Sequence, residues 1–372
     1  MSEDYIFLTS SDLATSQATK NRLTPFFTQI LNKKLLVRLI SPDQKKLQLS
    51  NKSFKHTALN IQNKKSKNFL QRAMHELYIS IRVCLSVDKN YKKIILTTPS
   101  PLLIFCVFFF RSKDLIVDIR DLTWEYLPSN NYFQRFVRFF AKNLIRFCLQ
   151  YPSIITVSNN CEKKYLEEIF KLKNKVYMLS NGISINKHND LSVLDNETET
   201  PVVGYFGSIG KAQKVETLVY LAEKNKSIDF FICGEGSEKE KIVKLAQKCN
   251  LTNLTISKKL NWEELKEKYK KTNIFFAQLS NEYWSAVPSK LYDYLSTGKC
   301  LLFSGSGEAK KFLETFDNCY ISDTNSLEDI QLKIDEIIIN GSHKNISNNN
   351  RVRIRQEFIR EDLVNNFLDS VE

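Results

Sequence analysis

A chain of 372 residues, 42% hydrophobic and 26% charged, exceeds what one hydrophobic core usually supports and is too apolar to stay unfolded, so it predicts two globular domains. Its net charge of +13 is uneven, because residues 1–190 carry 30 Lys and Arg against 14 Asp and Glu, and the remainder 24 against 27. The basic half is therefore the one expected to meet an anionic partner.

In chain order, DYIFLTS (Asp4–Ser10) reads as the first strand, followed by a loop over Ser10–Lys20 that is rich in Ser and Thr, lacks glycine and is expected to open toward an interdomain cleft. KKIILTT (Lys92–Thr98) and LIVDI (Leu115–Ile119) read as further strands. Between them PLLIFCVFFF (Pro101–Phe110) is ten apolar residues bounded by Pro and Arg. A spanning helix needs about twenty, so this segment predicts a buried helix and a βαβ pattern. The polar exit of LIVDI holds Asp118, Arg120, Asp121 and Glu125. These are either reactive groups at a strand end, or Asp118 or Asp121 paired with Arg120 or capping a turn.

The spacing over Tyr132–Leu149 predicts a helix whose Arg135, Arg138, Lys142 and Arg146 fall within ~80° of arc, with Phe133, Phe136, Val137, Phe140, Leu144 and Phe147 on the other side. Such a helix fits an anionic membrane surface with its cations at the headgroups, or a packed helix with a solvated cationic face. Asn181–Pro201 loses apolar periodicity and gains turn residues and acids, as an interdomain linker does.

Beyond the linker, PVVGYFGSIGKAQ (Pro201–Gln213) reads as a strand, a glycine turn and the start of a helical pattern over Val215–Lys224. Gly207 and Gly210 would let a ligand approach the backbone, with Ser208 and Lys211 within reach of its phosphates. This is not a Walker A loop, since five residues separate Gly204 from Gly210 and Ala212 follows Lys211. A second unit, DFFIC running into Gly234, Glu235 and Gly236, has Lys239 where a dinucleotide fingerprint needs a third glycine, so a tight strand-to-helix turn explains it as well as a ligand does. A third unit runs from Leu254 through Asn261, an N-cap with Glu264 as its capping-box partner, to the strand NIFFAQL. Strands alternating with helices predict a parallel, doubly wound α/β sheet with its ligand beyond the carboxyl ends of the strands.

NEYWSAVPSKLYDYLSTGK (Asn281–Lys299) places a helix start within Ser285–Ser289, Pro288 at the first helical position and Gly298 just past the end. The positive helix terminus is a seat for phosphate, Lys290 adds charge, and Asp293 on the same face suits paired ribose hydroxyls. An amphipathic helix with a solvated Lys and Asp is the competing reading.

GYFGSIGKAQKVETL, FFICGEGSEKEKI and AVPSKLYDYLSTGKC, in that order, resemble the nucleotide-binding half of bacterial family 4 glycosyltransferases. The likeness extends into the first half through TTPSP (Thr97–Pro101), DLIVDIRDLTWEYLP (Asp114–Pro128), IITVSNN and NGI. The resemblance implies a GT-B fold of two Rossmann-like domains: residues 1–190 for the acceptor, 200–350 for the nucleotide sugar, and 351–372 as a helix packing back on the first domain. It implies transfer with retention from a nucleoside diphosphate sugar, such as a UDP-sugar, to a lipid-linked saccharide in capsule or O-antigen assembly. The transferred group would be a hexosyl or N-acetylhexosaminyl residue.

On this pattern Asp121 is the catalytic candidate, and Gly207, Ser208, Gly210, Lys211, Gly234, Gly236, Ser285, Ser289, Lys290 and Asp293 hold the donor. Many relatives carry two glutamates where this chain has Ser285 and Asp293, and an Arg and a Lys where it has Ser208 and Gln213. Lys290 or Lys211 would substitute for the missing cations.

Eight cysteines without a CxxC pair, behind a start that is no signal peptide, predict a reduced cytoplasmic protein, peripheral to the inner face of the membrane. The four His (His56, His75, His188 and His343) lack metal-ligand spacing and there is no Asp-x-Asp. No metal or other cofactor is therefore expected, and the diphosphate would be neutralised by dipoles and cations. A nucleotide-sugar epimerase of the same architecture, a nucleic-acid-binding protein using the basic half, and a non-catalytic scaffold are the rival classes. The absence of an RNA-binding motif argues against nucleic acid as a partner.

Overall fold

The computed structural model describes residues 3–62, 69–88, 90–98, 100–323 and 326–371. Pro99 of the Thr97–Pro101 motif lies outside them. The chain forms two compact units, Met1–Ser180 with Glu361–Glu372, and Asn181–Arg360.

The first unit runs β1 (Glu3–Thr9), α1 (Gln17–Asn32), β2 (Val37–Ser41), β3 (Phe54–Ala58), α2 (Phe69–Leu85), β4 (Tyr91–Thr98), a 3-10 helix (Pro101–Phe109), β5 (Leu115–Ile119), α3 (Tyr132–Leu149), β6 (Ile154–Val157), α4 (Asn160–Lys164) and β7 (Lys175–Met178). The strands are parallel in the order β3-β2-β1-β4-β5-β6-β7. Order reverses between β1 and β4, the switch point of a doubly wound sheet. Leu8, Leu39, Leu96 and Val117 are fully buried, as strands covered on both faces require.

Ser16 caps α1 by accepting from Thr19 N–H, so the helix starts inside the loop expected over Ser10–Lys20. The segment expected as a buried helix from Pro101 is a 3-10 helix. At three residues per turn its rows Leu103–Cys106 and Ile104–Val107 face inward, and the row ending at Phe108 faces out.

The second unit runs α5 (Ile185–Ser192), β8 (Val202–Phe206), α6 (Glu216–Lys224), β9 (Asp229–Cys233), α7 (Lys239–Lys248), β10 (Leu254–Ser257), α8 (Trp262–Lys271), β11 (Ile274–Gln278), α9 (Lys290–Thr297), β12 (Cys300–Ser304), α10 (Glu308–Leu313), β13 (Cys319–Ser322), α11 (Leu327–Ile339) and α12 (Asn348–Glu357). Its parallel order is β10-β9-β8-β11-β12-β13, with the switch point between β8 and β11. The Asn261–Glu264 capping box forms as read: Asn261 Oδ1 accepts from Glu264 N–H at 2.9 Å and Glu264 returns to Asn261 N–H at 3.1 Å.

Two stretches differ from expectation. The Asn181–Pro201 linker contains α5, whose His188 meets Ser296 of α9 at 3.3 Å, and residues 181–200 belong to the second unit. The final helix is two, α12 and α13 (Arg360–Val371), because Phe358 and Ile359 leave helical geometry to bridge Ile183: Ile183 N–H donates to Phe358 O and Arg360 N–H to Ile183 O, both at 2.9 Å. In α13, Val364, Phe367 and Leu368 are part of the first unit's core, with the Phe367 ring 6.2 Å from Phe26.

Candidate functional site

In the second unit the candidate residues gather at the carboxyl ends of β8 and β9 and at the start of α9. The β8 turn places Gly207 at φ 144°, in the region where glycine is favoured, and a side chain there would meet the Lys290 amine at 3.0 Å. Ser208 and Lys211 stand exposed beside it. Gly234 and Gly236 form the tight turn that the sequence allowed as one reading of them. A Cβ on Gly234 would lie 1.8 Å from Gly207 O, and one on Gly236 2.1 Å from Ile209 O. These glycines let the β8 and β9 turns abut, and Gly207 N–H and Ile209 N–H donate to Cys233 O and Glu235 O at 2.9 Å. Gly210, at φ −119°, has ordinary backbone geometry and receives Gln213 Oε1 on its N–H at 3.2 Å.

α9 begins at Lys290 with Ser289, exposed, at its N-cap, and ends at Gly298 with φ 69°. Pro288 accepts from Leu291 N–H at 3.0 Å, so the first turn is already formed one residue ahead of the cap. Ser285 is fully buried in the turn before it. The Lys290 ammonium donates to Tyr205 Oη at 2.6 Å, and the Tyr205 hydroxyl donates in turn to Ser208 O at 2.5 Å. Helix start and glycine turn are thus tied through one cation. Burial pushes the Lys290 amine down to about 7, against the opposing charge of Asp293. A phosphate arriving there would restore its charge.

Asp293, read as a grip for ribose, pairs with Lys187 of α5 at 2.5 Å, and the Lys187 amine lies 5.0 Å from the Trp262 ring. Lys187 and Trp262 are site residues that the spacing does not reveal, since they come from other elements. Gly307, at φ 77°, carries the β12 turn against Trp284, where a Cβ would meet Trp284 O at 2.1 Å. Lys299 is structural: its buried amine donates to Tyr269 O, Lys270 O and Thr272 O at 2.7–3.0 Å, closing the end of α8.

In the first unit the four polar groups at and after the end of β5 separate by role. Asp118 is fully buried and receives Arg22 at 2.6 and 3.2 Å, Thr97 at 2.8 Å and Thr156 at 2.6 Å. Burial raises its pKa, but the Arg22 charge and these hydrogen bonds outweigh that and hold it below the usual carboxylate range. It is a clamp joining α1 to three strands, and its partner is Arg22, not Arg120, which donates to Thr19 at 2.7 Å. Glu125 binds Arg138 at 2.7 Å and Lys142 at 2.8 Å. Asp121 is half-buried, and burial pushes its carboxyl up to about 6 in spite of Arg120 and Arg22. Glu162, which the sequence reading passed over, is fully buried with Oε1 unpartnered, and burial together with the Asp121 charge raises its pKa well above the usual range.

Residues 186–353 match the family model for glycosyl transferases group 1. This chain has the GT-B fold. No curated protein matches it. Among solved structures it is similar to sucrose-phosphate synthase from Thermosynechococcus elongatus (12% identity, TM-score 0.76, 99% of this chain and 98% of that one). It is similar also to a Staphylococcus aureus TarM variant in complex with fondaparinux, α-GlcNAc-glycerol and UDP (10% identity, TM-score 0.71, all of both chains). A third is Anabaena HepE in complex with UDP and glucose (12% identity, TM-score 0.67, 99% and 98%).

Among the described residues of this chain no group of three or more His, Cys, Asp or Glu could hold a metal ion, and no helix is long and apolar enough to cross a membrane. The cationic face of α3 does not stand free. Arg138 and Lys142 are committed to Glu125, and Arg146 donates to Phe170 O at 2.9 Å, leaving Arg135 as the exposed member of the four. The phenylalanines that a packed helix would turn into the core are solvent-exposed.

Proposed function

We propose that this protein is a glycosyltransferase that moves a hexosyl or N-acetylhexosaminyl group from a nucleoside diphosphate sugar, with retention, to a hydroxyl of a lipid-linked saccharide. The reaction takes place at the inner, anionic face of a membrane, in surface-polysaccharide assembly of the capsule or O-antigen kind. The observation that carries the reading is Lys290, a half-buried amine held by Tyr205 beside Gly207 at the β8/β11 switch point. UDP is the favoured nucleotide because TarM and HepE are named in complex with it.

In this reading the diphosphate sits against Lys290, Lys211, Ser208 and the start of α9, and Asp293 exchanges Lys187 for ribose hydroxyls. The bond between the anomeric carbon and the diphosphate oxygen breaks while the acceptor oxygen bonds to that carbon. Lys290 and the helix terminus take up the charge that develops on the leaving diphosphate, with no metal. Asp121, ionised above about pH 6, takes the acceptor's proton, or steadies positive charge on the sugar ring while that proton passes to the leaving diphosphate.

The test is the thermal midpoint with UDP, GDP, ADP or CMP at millimolar concentration, beside a Lys290→Ala, Asp293→Ala double variant. The expected result is a rise of degrees with UDP that the double variant loses. No rise with any nucleotide overturns the reading.

A further inference from the structure

Among the described residues the aromatic face of α3 stands largely exposed. Phe133, Phe136, Phe139, Phe140 and Phe147 are 61–74% exposed and Tyr132 is 89% exposed. They occupy ~120° of arc, with the cationic stripe along one edge of it. The surface continues onto the 3-10 helix, where the Phe108 ring lies 5.8 Å from Phe147, and Phe108 and Phe109 are 49% and 54% exposed. Eight aromatic side chains standing in water on adjoining elements form a patch that a soluble surface does not ordinarily carry.

The charges around the patch say what covers it. Neither α3 nor the 3-10 helix contains a single Asp or Glu. Arg135 is exposed beside Tyr132, and Arg111 and Lys113 are exposed where the 3-10 helix ends. Arg111 is paired with Asp114 at 2.8 Å, but the elements that carry the aromatic face hold cations and no acid of their own. Such a face complements an anionic bilayer, with aromatic rings at the headgroup and acyl boundary and cations at the phosphates. A second copy of the chain would set that cationic rim against an identical one.

We infer that α3 and the 3-10 helix insert their phenylalanines into the interfacial layer of an anionic membrane, so that the aromatic face, and not the Arg138–Lys142–Arg146 stripe, anchors the protein. This deepens the proposed membrane-side acceptor and rests on that reading for its purpose. Insertion of rings is an apolar contact, which salt screens little.

Full-length protein would be sedimented with phosphatidylcholine–phosphatidylglycerol vesicles at about 0.1 and 0.5 M NaCl. Wild-type protein is expected to stay mostly bound at the higher salt. Phe133→Ser, Phe136→Ser, Phe140→Ser is expected to lower the vesicle partition coefficient at least about tenfold, with thermal midpoint and UDP-induced shift unchanged. Arg138→Gln, Lys142→Gln is expected to lower it less than about twofold, because those cations already serve Glu125. A triple variant that binds like wild type overturns the inference. So does wild type that stays off vesicles, and a dimer in lipid-free buffer that the triple variant dissolves would then give the face to a second copy. Vesicle binding that follows the expected pattern without any nucleotide shift would leave the insertion standing and remove the transferase reading.

Discussion

Lys290 makes the proposed donor site pH-dependent in a calculable way. Its amine titrates at about 7 in the empty protein, and a phosphate ligand favours the charged form. Above pH 7 a bound diphosphate is essentially fully ionised, so its own titration adds little over the window chosen. The fraction of protein with Lys290 protonated falls from about one half at pH 7 to about 1% at pH 9, a ~50-fold change. The Kd for UDP should therefore rise by up to ~50-fold between these pH values, about 2.3 kcal/mol at 1.36 kcal/mol per pH unit. Isothermal titration calorimetry at half-unit pH steps reads this directly, and the protons taken up on binding appear in the buffer dependence of the heat. Lys290→Arg, charged throughout, should flatten the profile, while Lys290→Ala should bind weakly and also show no slope. A wild-type affinity that is flat from pH 7 to 9 would refute the assignment of Lys290 to the phosphate.

The two aspartates at the end of β5, Asp118 and Asp121, should behave oppositely. Asp118→Asn strands the Arg22 charge in the core and is expected to cost about 3–5 kcal/mol in urea unfolding. Asp121 has a folded pKa raised above its unfolded value, so its ionisation weakens the fold as pH rises from about 4 through 6. Asp121→Asn should thus leave the thermal midpoint at pH 7.5 equal to or above wild type, while lowering turnover by ~100-fold or more in a transfer assay. Gly234→Ala, whose methyl would lie 1.8 Å from Gly207 O, is expected to lower stability by about 3 kcal/mol and to abolish the UDP-induced thermal shift by forcing the two turns apart.

The strand, glycine turn and helix units after residue 201 were legible because each signal is local. Gly298 at a helix end, the Asn261–Glu264 box and the limits of α3 all depend on residues a few positions apart. What the sequence did not give up depends on distant partners. Arg22 reaches Asp118 across 96 residues, Lys290 reaches Tyr205 across 85 and Lys187 reaches Asp293 across 106. Periodicity divided α3 correctly into cationic and aromatic sides, but it carries no information about which side turns outward. That is decided by Glu125, outside the helix, which draws two of its cations toward the protein. Likewise Gly234 and Gly236 were visible as a turn, yet the reason for both lies in the neighbouring β8 loop.

The placement of α13 bears on how the chain assembles. The second unit is one uninterrupted run of sequence, whereas the first is completed by residues 361–372, whose Val364, Phe367 and Leu368 lie in its core. During synthesis the second unit can therefore close before the first has all of its parts. A ribosome-bound chain would hold an unsealed apolar surface around Phe26 and Tyr177 until residues 361–372 emerge. Removing residues 361–372 should accordingly damage the first unit rather than the second, which they follow directly.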